Sequence, residues 1–338
     1  MKKNTIQLWV MVMLIFCLAL TGCIQSQPAT PPAASNTEVA ASTEPVSTEK
    51  VYDIGVFVKD STTSFWRYVI QGATKEAEEL GVNMIEYAPV ETQNVEEQIR
   101  QVEDAIQAGV DAICIVALDA TALKPSLQKA LDAKIPVITF NSRINDFEGV
   151  SCFVGVENYD GMSLVCEKVF KDLNYEGNIV SLEGLTSGYA NIERVRAITD
   201  VAAKYPEIKI LASQTTNSRR EEAMTVMENM LQTYPEIDAV IGHNDSVALG
   251  AVQAIQAAGK EGIIVSGFDG TLEGMEAILA DTLNYSLDQS PFQQGAFSVR
   301  AAKEILDGKK IEFENPTGGT LVDKSNAQSI IDEFYKVN

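Results

Sequence analysis

The sequence from residue 51 onward predicts an α/β fold made of two similar doubly wound parallel-sheet lobes joined by a multi-strand hinge. Three observations predict it. Short apolar runs alternate with stretches of helical periodicity, the alternation starts again near the middle of the chain, and the two halves share motifs at a constant spacing. Strands that are buried on both faces and alternate with helices form parallel sheets. Residues 51–338 also suffice for two lobes of ordinary domain size.

The first half contains four predicted strands with helices between them. The strands are the apolar runs Tyr52–Val58, Val82–Tyr87, Ala112–Leu118 and Pro136–Phe140. Between the second and the third, apolar residues recur at steps of four, three and four, which is one face of a helix. These residues are Val95, Ile99, Val102 and Ile106. Asn94 and Glu97 are predicted to begin that helix.

The second half repeats the pattern. Its predicted strands are Asn178–Leu182, Ile208–Ala212, Ala239–His243 and Ile263–Ser266. Ser218 and Glu221 have the spacing of a capping box, which predicts a helix that begins after Ser218. Asp245 is expected to cap the helix that follows the third of these strands.

The two halves can be laid on each other. Asp111–Ile113 matches Asp238–Val240 at a shift of 127 residues, and Thr139–Asn141 matches Gly267–Asp269 at a shift of 128. Identity between the halves is weak, but the spacing is consistent. Two similar open α/β lobes that face each other are the structural interpretation of this repeat.

The N-terminus has the features of an export signal. Lys2 and Lys3 precede the 13-residue apolar run Leu8–Leu20. A membrane-spanning helix needs about 20 residues, so this run has the size of a signal-peptide core. Leu20–Cys23 (LTGC) resembles the lipobox of bacterial lipoproteins, which implies cleavage before Cys23 and acylation of its thiol. The alternative is an ordinary signal peptide with a chance cysteine.

The segment Ile24–Lys50 consists largely of Ser, Thr, Pro, Ala and Gln. It has too few apolar side chains to fold and is interpreted as a flexible tether. An acyl anchor, a tether and a folded body predict a protein held by lipid at the outer face of the cytoplasmic membrane or in the periplasm.

The composition excludes some classes of function. The formal net charge is −21, and removal of Lys2 and Lys3 with the signal peptide would make it more negative. Nucleic-acid binding needs a basic patch, so no nucleic-acid partner is expected. An acidic surface instead keeps an extracytoplasmic protein soluble.

The reactive residue types argue against catalysis. Cys114, Cys152 and Cys166 have no metal-ligand spacing, and His243 is the one histidine of the chain. A histidine metal cluster is therefore excluded, and a Ser-His-Asp arrangement would have to use His243. No glycine-rich phosphate loop follows the first predicted strand. We expect a binding protein that is not an enzyme, with no cofactor and no metal.

Candidate binding residues follow the strands, because ligands of open α/β sheets lie outside the carboxyl ends of the strands. Aromatic rings at these positions can cover the apolar face of a sugar, and amide, carboxylate and guanidinium groups can pair with its hydroxyls. The candidates are Lys59, Phe65, Trp66, Asn141, Arg143, Arg194, Asn217, Asn244, Asp269 and Gln289. They predict a small sugar or polyol as the ligand.

Four segments carry a resemblance to a known family. They are Val137–Asn141, Ile192–Arg194, Gly242–Ala251 and Gly267–Thr271. Together they resemble the periplasmic ribose-binding protein family, the type I substrate-binding proteins of ABC sugar importers. The resemblance covers about residues 51 to 338 and is strongest from 237 to 271. It implies the type I periplasmic binding protein fold and a sugar held between the lobes.

The resemblance also assigns roles to residues. It places Phe65 and Trp66 in the aromatic sandwich, although adjacent helix residues point about 100° apart, so that at least one is expected in the core. Four further residues match the family's hydrogen-bonding positions as they stand. They are Arg194, Asn244, Asp269 and Gln289. Lys59 lies where some relatives reach the ligand with a lysine.

Three departures put ribose itself in doubt. Asn141 and Ser142 lie where ribose binders have an Asp-Arg pair, and Ser218, after Asn217, lies where they have another aromatic residue. Arg143 is expected to supply the missing guanidinium. His243 is expected at the rim of the site.

The predicted organisation has four parts. Residues 1–22 are the signal peptide and 23–50 the acylated cysteine and tether; 51–156 with about 290–318 form one lobe, and 157–289 with about 319–338 form the other. The chain is expected to cross between the lobes near Gly155–Asn158, Leu287–Ser290 and Pro316–Leu321.

Hinge closure around a sugar, followed by delivery to the permease subunits of an ABC importer, is the predicted function. One alternative is the effector domain of a transcription repressor, but a signal peptide stands where its DNA-binding module would be. A second alternative is a lipoprotein that presents its liganded form to a membrane sensor, a kinase or a chemoreceptor. The sequence barely separates that sensor from an importer component.

Overall fold

The first half of the folded body forms alternating strands and helices. The structure, a computed structural model, describes residues 50–90 and 94–335. The elements up to the first crossing are β1 (Asp53–Phe57), α1 (Ser64–Leu80), β2 (Asn83–Tyr87), α2 (Val95–Ala108), β3 (Ala112–Ile115), α3 (Ala120–Asp132), β4 (Val137–Phe140) and β5 (Val150–Gly155). These strands pair in parallel.

The second half builds its own sheet. Its elements are α4 (Asn158–Asp172), β6 (Gly177–Glu183), α5 (Tyr189–Ala202), β7 (Ile208–Thr215), α6 (Arg220–Thr233), β8 (Ala239–Gly242), α7 (Asp245–Ala257), β9 (Ile264–Ser266), α8 (Leu272–Leu279) and β10 (Ser286–Asp288). The sheet order is β7-β6-β8-β9, with all neighbours parallel.

The C-terminal segment returns to both sheets. Its elements are α9 (Pro291–Leu306), β11 (Glu314–Pro316), β12 (Thr320–Val322) and α10 (Ala327–Phe334). Helix α9 packs on α1, and β11 completes the first sheet, whose order is β11-β5-β4-β3-β1-β2. Strand β12 pairs with β10 on the side of the second sheet. The described chain therefore passes between the sheets after β5, after β10 and after β11.

The internal repeat has a structural counterpart. Asp111, just before β3, accepts a hydrogen bond from the backbone N–H of Asp53 at the start of β1, at 2.9 Å. Asp238, just before β8, accepts one from the N–H of Asn178 in β6, at 2.7 Å. Both carboxylates thus tie the start of their own strand to its parallel neighbour. The prediction of two similar α/β halves is confirmed.

Helix α2 forms where its apolar periodicity predicts. The side-chain oxygen of Asn94 accepts from the N–H of Glu97 at 3.0 Å, which satisfies one of the otherwise unpaired donors of the first turn. Val102 is fully buried, and Ile99 and Ile106 pack partly buried against the same apolar cluster. The predicted start and the predicted buried face are both confirmed.

Two predicted helix caps are wrong, although both helices begin within two residues of the expected positions. Helix α6 begins at Arg220 after Arg219, with no side-chain cap, because Ser218 has a left-handed backbone (φ 60°) and belongs to the preceding turn. Helix α7 is capped by Asn244, whose side chain accepts from the N–H of Val247 at 2.9 Å. Asp245 is instead the first helical residue, and its carboxylate accepts from elements outside the helix.

Helices α1 and α9 touch through glycine. A Cβ atom at Gly72 would lie 1.9 Å from the carbonyl oxygen of Phe292, and one at Gly295 would lie 1.8 Å from that of Val69. Real Cβ atoms never come so close to a backbone oxygen, so the two helices can keep this separation only with glycine at both positions. The contact covers the first sheet and brings α9 back to it.

We expect Gly72→Ala to destabilise the first lobe by about 1–3 kcal/mol or more, because α9 must move away from α1. This cost exceeds the gain in helix propensity of about 1 kcal/mol. Urea unfolding followed by circular dichroism would measure it. Thr74→Ala, on the exposed face of the same helix, should change stability much less. Equal stability of the two variants would contradict the close packing.

The described residues contain no helix that is both long and apolar enough to cross a bilayer. The predicted signal peptide, the lipobox cysteine Cys23 and nearly all of the tether lie outside the described residues. Cys114, Cys152 and Cys166 are buried free thiols.

Candidate functional site

A cavity of about 110 Å³ lies at the carboxyl ends of strands from both sheets. The first-sheet side contributes Lys59, Asp60, Thr63, Phe65, Trp66, Leu118 and Asn141. The second-sheet side contributes Leu185, Gly188, Ala190, Asn191, Arg194, Asn217, Ser218, Arg219, His243, Asn244 and Asp269, and Gln289 lies on the crossing after β10. Nine of the ten predicted ligand residues therefore meet at one cavity.

The aromatic pair stands at the start of α1. Phe65 and Trp66 both line the cavity, and their rings pack edge to face with centroids 4.8 Å apart. Both side chains also belong to the apolar core of the first lobe, with exposed fractions of 2% and 9%. The expectation that at least one of them is a core residue is confirmed. The two roles coincide, because the cavity opens directly onto that core.

Asp60 fixes the loop that presents these rings. Its carboxylate accepts hydrogen bonds from the backbone and the hydroxyl groups of both Thr62 and Thr63, at 2.7–2.9 Å. These bonds hold the turn between β1 and α1 and satisfy orphan donors near the helix start. Asp60 was not among the predicted site residues, although its position two residues before a Thr-Thr-Ser segment is the signal of an Asx-type turn.

Lys59 follows β1 and points its ammonium group toward the aromatic wall, 5.9 Å from the centre of the Trp66 ring. The side chain is mostly buried. Burial, together with the nearby Arg194 cation, lowers the pKa of Lys59 to about 8. At pH 7 the ammonium form still predominates.

A chain of amides joins the two sides of the cavity. Asn141 Nδ2 donates to Gln289 Oε1 at 3.1 Å, and Gln289 Nε2 donates to Asp269 Oδ1 at 2.7 Å. All three side chains are buried. Asn141, after β4, and Asp269, after β9, both have positive φ values (61° and 131°), which turn their side chains out of the strands. Gln289 thus connects equivalent positions of the two halves.

Asp269 is buried without a cation at ion-pair distance among the described residues. Burial raises its pKa to about 8, although the Arg194 guanidinium acts in the opposite direction. One carboxylate oxygen accepts from Gln289. The other has no partner among the described residues and can accept from a ligand.

Arg194, on α5, is almost fully buried and ties several elements together. Its Nε donates to Asn158 Oδ1 at 2.9 Å, and its Nη1 donates to the carbonyl oxygen of His243 at 2.7 Å. The guanidinium lies 3.6 Å over the ring of Phe268. Burial lowers its pKa to about 10, so the group stays charged at neutral pH. Asn158 in turn donates to the carbonyl oxygen of Asn141 at 3.1 Å.

His243 lies against the backbone of Gly184, where a Cβ atom would approach its ring to 2.5 Å. Burial, with the Arg194 and Lys59 cations nearby, lowers the pKa of His243 well below its ordinary value. The imidazole is therefore neutral at pH 7 and lines the cavity as a polar but uncharged group. Asn244 reaches the cavity while its side-chain oxygen caps α7.

The loop after β7 forms the outer wall. Asn217 and Ser218 both have left-handed backbones, with φ values of 50° and 60°. Asn217 Nδ2 donates to Glu222 Oε2 at 2.8 Å. Asn191 also lines this side, and its side-chain oxygen accepts from the N–H of Gly184. Asn191 was missed because it lies inside a helix and follows no strand directly.

Arg143 was predicted to contact the ligand, and this prediction is wrong. The structure does not bring it to the cavity: its guanidinium pairs with Glu157 and Glu314 and lies 4.1 Å over the ring of Phe153. These partners lie beside the crossings after β5 and after β11. Arg143 follows Ser142, which is buried beside Asn141, so the chain has already turned away from the cavity. It does not replace the guanidinium that ribose binders have.

Within the described ranges, no group of three or more His, Cys, Asp or Glu side chains is arranged to hold a metal ion. The cavity groups instead offer donors and acceptors for an organic ligand. They combine three cations, Lys59, Arg194 and Arg219, with a buried carboxyl group that has a vacant acceptor, several amides and two aromatic rings.

Comparison with known proteins agrees with this geometry. The chain is 32% identical over 265 residues to the ribose import binding protein of Bacillus subtilis (strain 168), and the alignment covers 78% of this chain and 85% of that protein. The structure of this chain resembles that of an ABC transporter solute-binding protein from Bacillus halodurans C-125 with bound myo-inositol. The TM-score is 0.77, and the identity is 30% over 84% of this chain and 98% of the other.

A second solved structure is similar to the same extent. It is an ABC transporter periplasmic solute-binding protein from Actinobacillus succinogenes 130z with bound D-allose, with a TM-score of 0.76 and 28% identity over 82% of this chain and 99% of the other. The family model described as a periplasmic binding protein domain matches residues 54–310, most of the folded body. The chain therefore belongs to the periplasmic binding protein family.

Proposed function

We propose that this protein captures a small polyhydroxylated ligand, a sugar or polyol, between its two lobes and delivers it to the permease subunits of an ABC importer. The observation that carries the proposal is the buried polar cavity built from both sheets. Lys59 and Arg194 carry charge at its wall, and neither makes an ion pair with the buried carboxyl group of Asp269, whose acid form predominates at pH 7. A ligand with several hydroxyl groups would satisfy them together. The relatives named above bind ribose, myo-inositol and D-allose.

Each group has a role in this mechanism. The aromatic rings cover the apolar face of the ligand, and Asp269 accepts from its hydroxyls while Arg194 donates. The Asn141–Gln289–Asp269 chain aligns acceptors and donors before the ligand arrives, which reduces the cost of ordering them. Because the walls come from different lobes, the ligand favours the closed arrangement over an open one. Closure then shifts the population toward the shape that the permease recognises.

Calorimetric titration of the full chain in detergent tests this proposal. The panel is D-ribose, D-allose, xylitol, myo-inositol and the common hexoses. We expect at least one of them to bind with micromolar affinity, which requires about −8 kcal/mol. One configuration should be preferred over its epimers, because a paired polar site rejects an epimer by leaving its own groups unsatisfied. Absence of binding to every sugar and polyol would overturn the proposal.

The single tryptophan of the cavity offers an optical test. The chain has two tryptophans, Trp9 and Trp66. In a Trp9→Phe chain, ligand binding should change the intensity or the emission maximum of Trp66, because the ligand alters the surroundings of its ring. The signal should saturate at the calorimetric affinity. A Trp66→Phe chain that keeps Trp9 is the control and should stay flat. Flat emission from Trp66 during calorimetrically proven binding would contradict its placement beside the ligand.

We propose also that Cys23 carries a lipid that anchors the protein in the cell envelope. The support is the lipobox-like Leu20–Cys23 after a signal-like apolar run, together with a family of extracytoplasmic binding proteins. Cys23→Ser should abolish incorporation of a radiolabelled fatty acid in growing cells. Cys17→Ser, within the apolar run, is the matched control and should keep the label. Undiminished labelling of Cys23→Ser would contradict the anchor.

A further inference from the structure

Two cations, the partly buried Lys59 and the buried Arg194, face the cavity from opposite lobes. Lys59 follows β1 of the first sheet, and Arg194 lies on α5 of the second-sheet side. Among the described residues, neither makes an ion pair with a carboxylate. Like charges that share a buried site repel each other and lose hydration, so this arrangement needs an acceptor between them.

The hydrogen bonds of the two cations leave donors vacant. Arg194 uses Nε and Nη1 for neutral acceptors, the side chain of Asn158 and the carbonyl of His243, and its Nη2 has no partner in the described part of the chain. The ammonium of Lys59 has no hydrogen-bond acceptor there either. The ammonium nitrogen lies 5.9 Å from the centre of the Trp66 ring, which is a weak interaction for a group with three donors.

The carboxyl groups at the cavity lie near these charges but form no ion pair with either of them in the described part of the chain. Asp60 accepts four hydrogen bonds from its own turn, and Asp269 accepts one from Gln289. Burial raises the pKa of Asp269 to about 8, so at pH 7 its acid form predominates in the absence of ligand. The exposed rim residue Arg219 pairs with Glu222. His243 is neutral. The polar wall is therefore cationic at Lys59 and at Arg194.

We infer that the ligand of this cavity carries a carboxylate in addition to its hydroxyl groups, and that Lys59 and Arg194 bind that carboxylate from the two lobes. The inference rests on the proposed function and narrows its substrate class from sugars and polyols to sugar acids. A carboxylate has two oxygens with about four acceptor positions, enough for the vacant Nη2 and for the ammonium group. Because the two cations belong to different lobes, the anion would also hold the lobes together.

A neutral sugar could offer hydroxyl oxygens to the same donors, but it would leave the charge of Lys59 and Arg194 uncompensated. The bond from an ammonium or guanidinium group to a carboxylate is roughly twice as strong as one between neutral groups. The preference for an acid over its neutral counterpart should therefore depend on Lys59. Methionine at position 59 keeps an unbranched side chain of similar length and removes the charge.

Paired ligands test the inference at pH 7, where Lys59 is charged. Calorimetry on the full chain in detergent compares D-ribonate with D-ribose, D-galacturonate with D-galactose, D-glucuronate with D-glucose, and D-gluconate with D-glucitol. At least one acid should bind about tenfold or more tightly than its neutral counterpart. Lys59→Met should lower that ratio several-fold, with the remainder due to Arg194, and Lys59→Arg should keep most of it. Lys75→Met, an exposed lysine on α1, should leave the ratio unchanged.

The outcomes separate the two proposals. If every neutral compound binds as tightly as its acid or more tightly, the inference is wrong and the proposed function stands. If the acid preference is undiminished in Lys59→Met, Lys59 does not contribute to it and the inference is wrong as well. If no compound of either kind binds, the proposed function fails together with the inference.

Discussion

Asp269→Asn is expected to weaken ligand binding by about tenfold or more and, at the same time, to stabilise the ligand-free protein. The loss of affinity follows from the second carboxyl oxygen, which pairs with a ligand hydroxyl, since leaving a buried hydrogen-bonding group without its partner costs about 1–3 kcal/mol. The amide group of asparagine would instead present a donor to that hydroxyl. The bond from Gln289 to the other oxygen can persist in the variant.

The gain in stability follows from the buried carboxyl group. Its pKa is raised to about 8 in the folded chain, well above the value near 4 in an unfolded chain. A raised pKa means that the stability contributed by the acid form is present at low pH and is lost as the pH rises toward 8. The Asp269→Asn variant has no such carboxyl group and does not lose stability in this way. Its advantage over the native chain in unfolding free energy should therefore grow by about 2–4 kcal/mol between pH 5 and pH 8, because each pKa unit corresponds to about 1.36 kcal/mol.

Urea titrations at the two pH values measure this difference, and calorimetry measures the affinity. Asp238→Asn is a suitable control, because Asp238 accepts from the backbone N–H of Asn178 far from the cavity wall. It should leave ligand affinity unchanged and should not stabilise the protein. Unaltered affinity in Asp269→Asn would mean that the ligand binds elsewhere. This combination of opposite effects is the trade-off expected for a group kept for function at a cost in stability.

The fold could be predicted from the sequence where burial leaves a local pattern. Strands such as β3 and β8 are buried along their whole length, so they appear as continuous apolar runs. Strand β11 has the sequence Glu-Asn-Pro and is partly exposed, so no apolar signal marks it. Strands β10 and β12 are equally short. Such segments become strands because the long-range fold brings them to a sheet, which the local sequence does not record.

Site residues could be predicted where the local sequence fixes their position. The prediction was wrong where a long-range contact decides the position. Asn141 directly follows β4, so parallel topology alone fixes it at the carboxyl edge of the sheet. Arg143 is also near a strand end, but its position depends on Glu157 and Glu314, which lie 14 and 171 residues further along the chain. Sequence proximity to Asn141 therefore misled the prediction. A two-residue turn changes the direction of a side chain completely.

The segment after β5 shows how binding and hinge geometry are joined. Asn158 begins α4, directly after the chain leaves the first sheet. It donates to the carbonyl oxygen of Asn141 on the first-sheet side and accepts from Arg194 on the second-sheet side. The amide of Asn158 therefore links Arg194, which faces the cavity, to the segment that crosses between the sheets. Changes at Arg194 should affect both the fold of the second lobe and the closed arrangement.

Arg194→Ala is therefore expected to lower both affinity and stability, in contrast to Asp269→Asn. Alanine leaves two buried acceptors unpaired, the side chain of Asn158 and the carbonyl of His243, at about 1–3 kcal/mol each. It also removes the stacking on Phe268. We expect a loss of about 2–5 kcal/mol in unfolding free energy and about tenfold or more in affinity.

Arg194→Lys separates the charge from the geometry. Lysine keeps the positive charge but lacks the planar fork that donates to Asn158 and His243 at once. If geometry dominates, its affinity and stability should lie close to those of the alanine variant. Arg196→Ala, on the exposed face of the same helix, is the matched control and should change both by little. Calorimetry and urea unfolding measure the pair of effects. If Arg194→Ala binds the ligand as tightly as the native chain, the proposed ligand site is wrong. If it is as stable as the native chain, the buried hydrogen bonds of the guanidinium do not hold α5, α4 and β8 together.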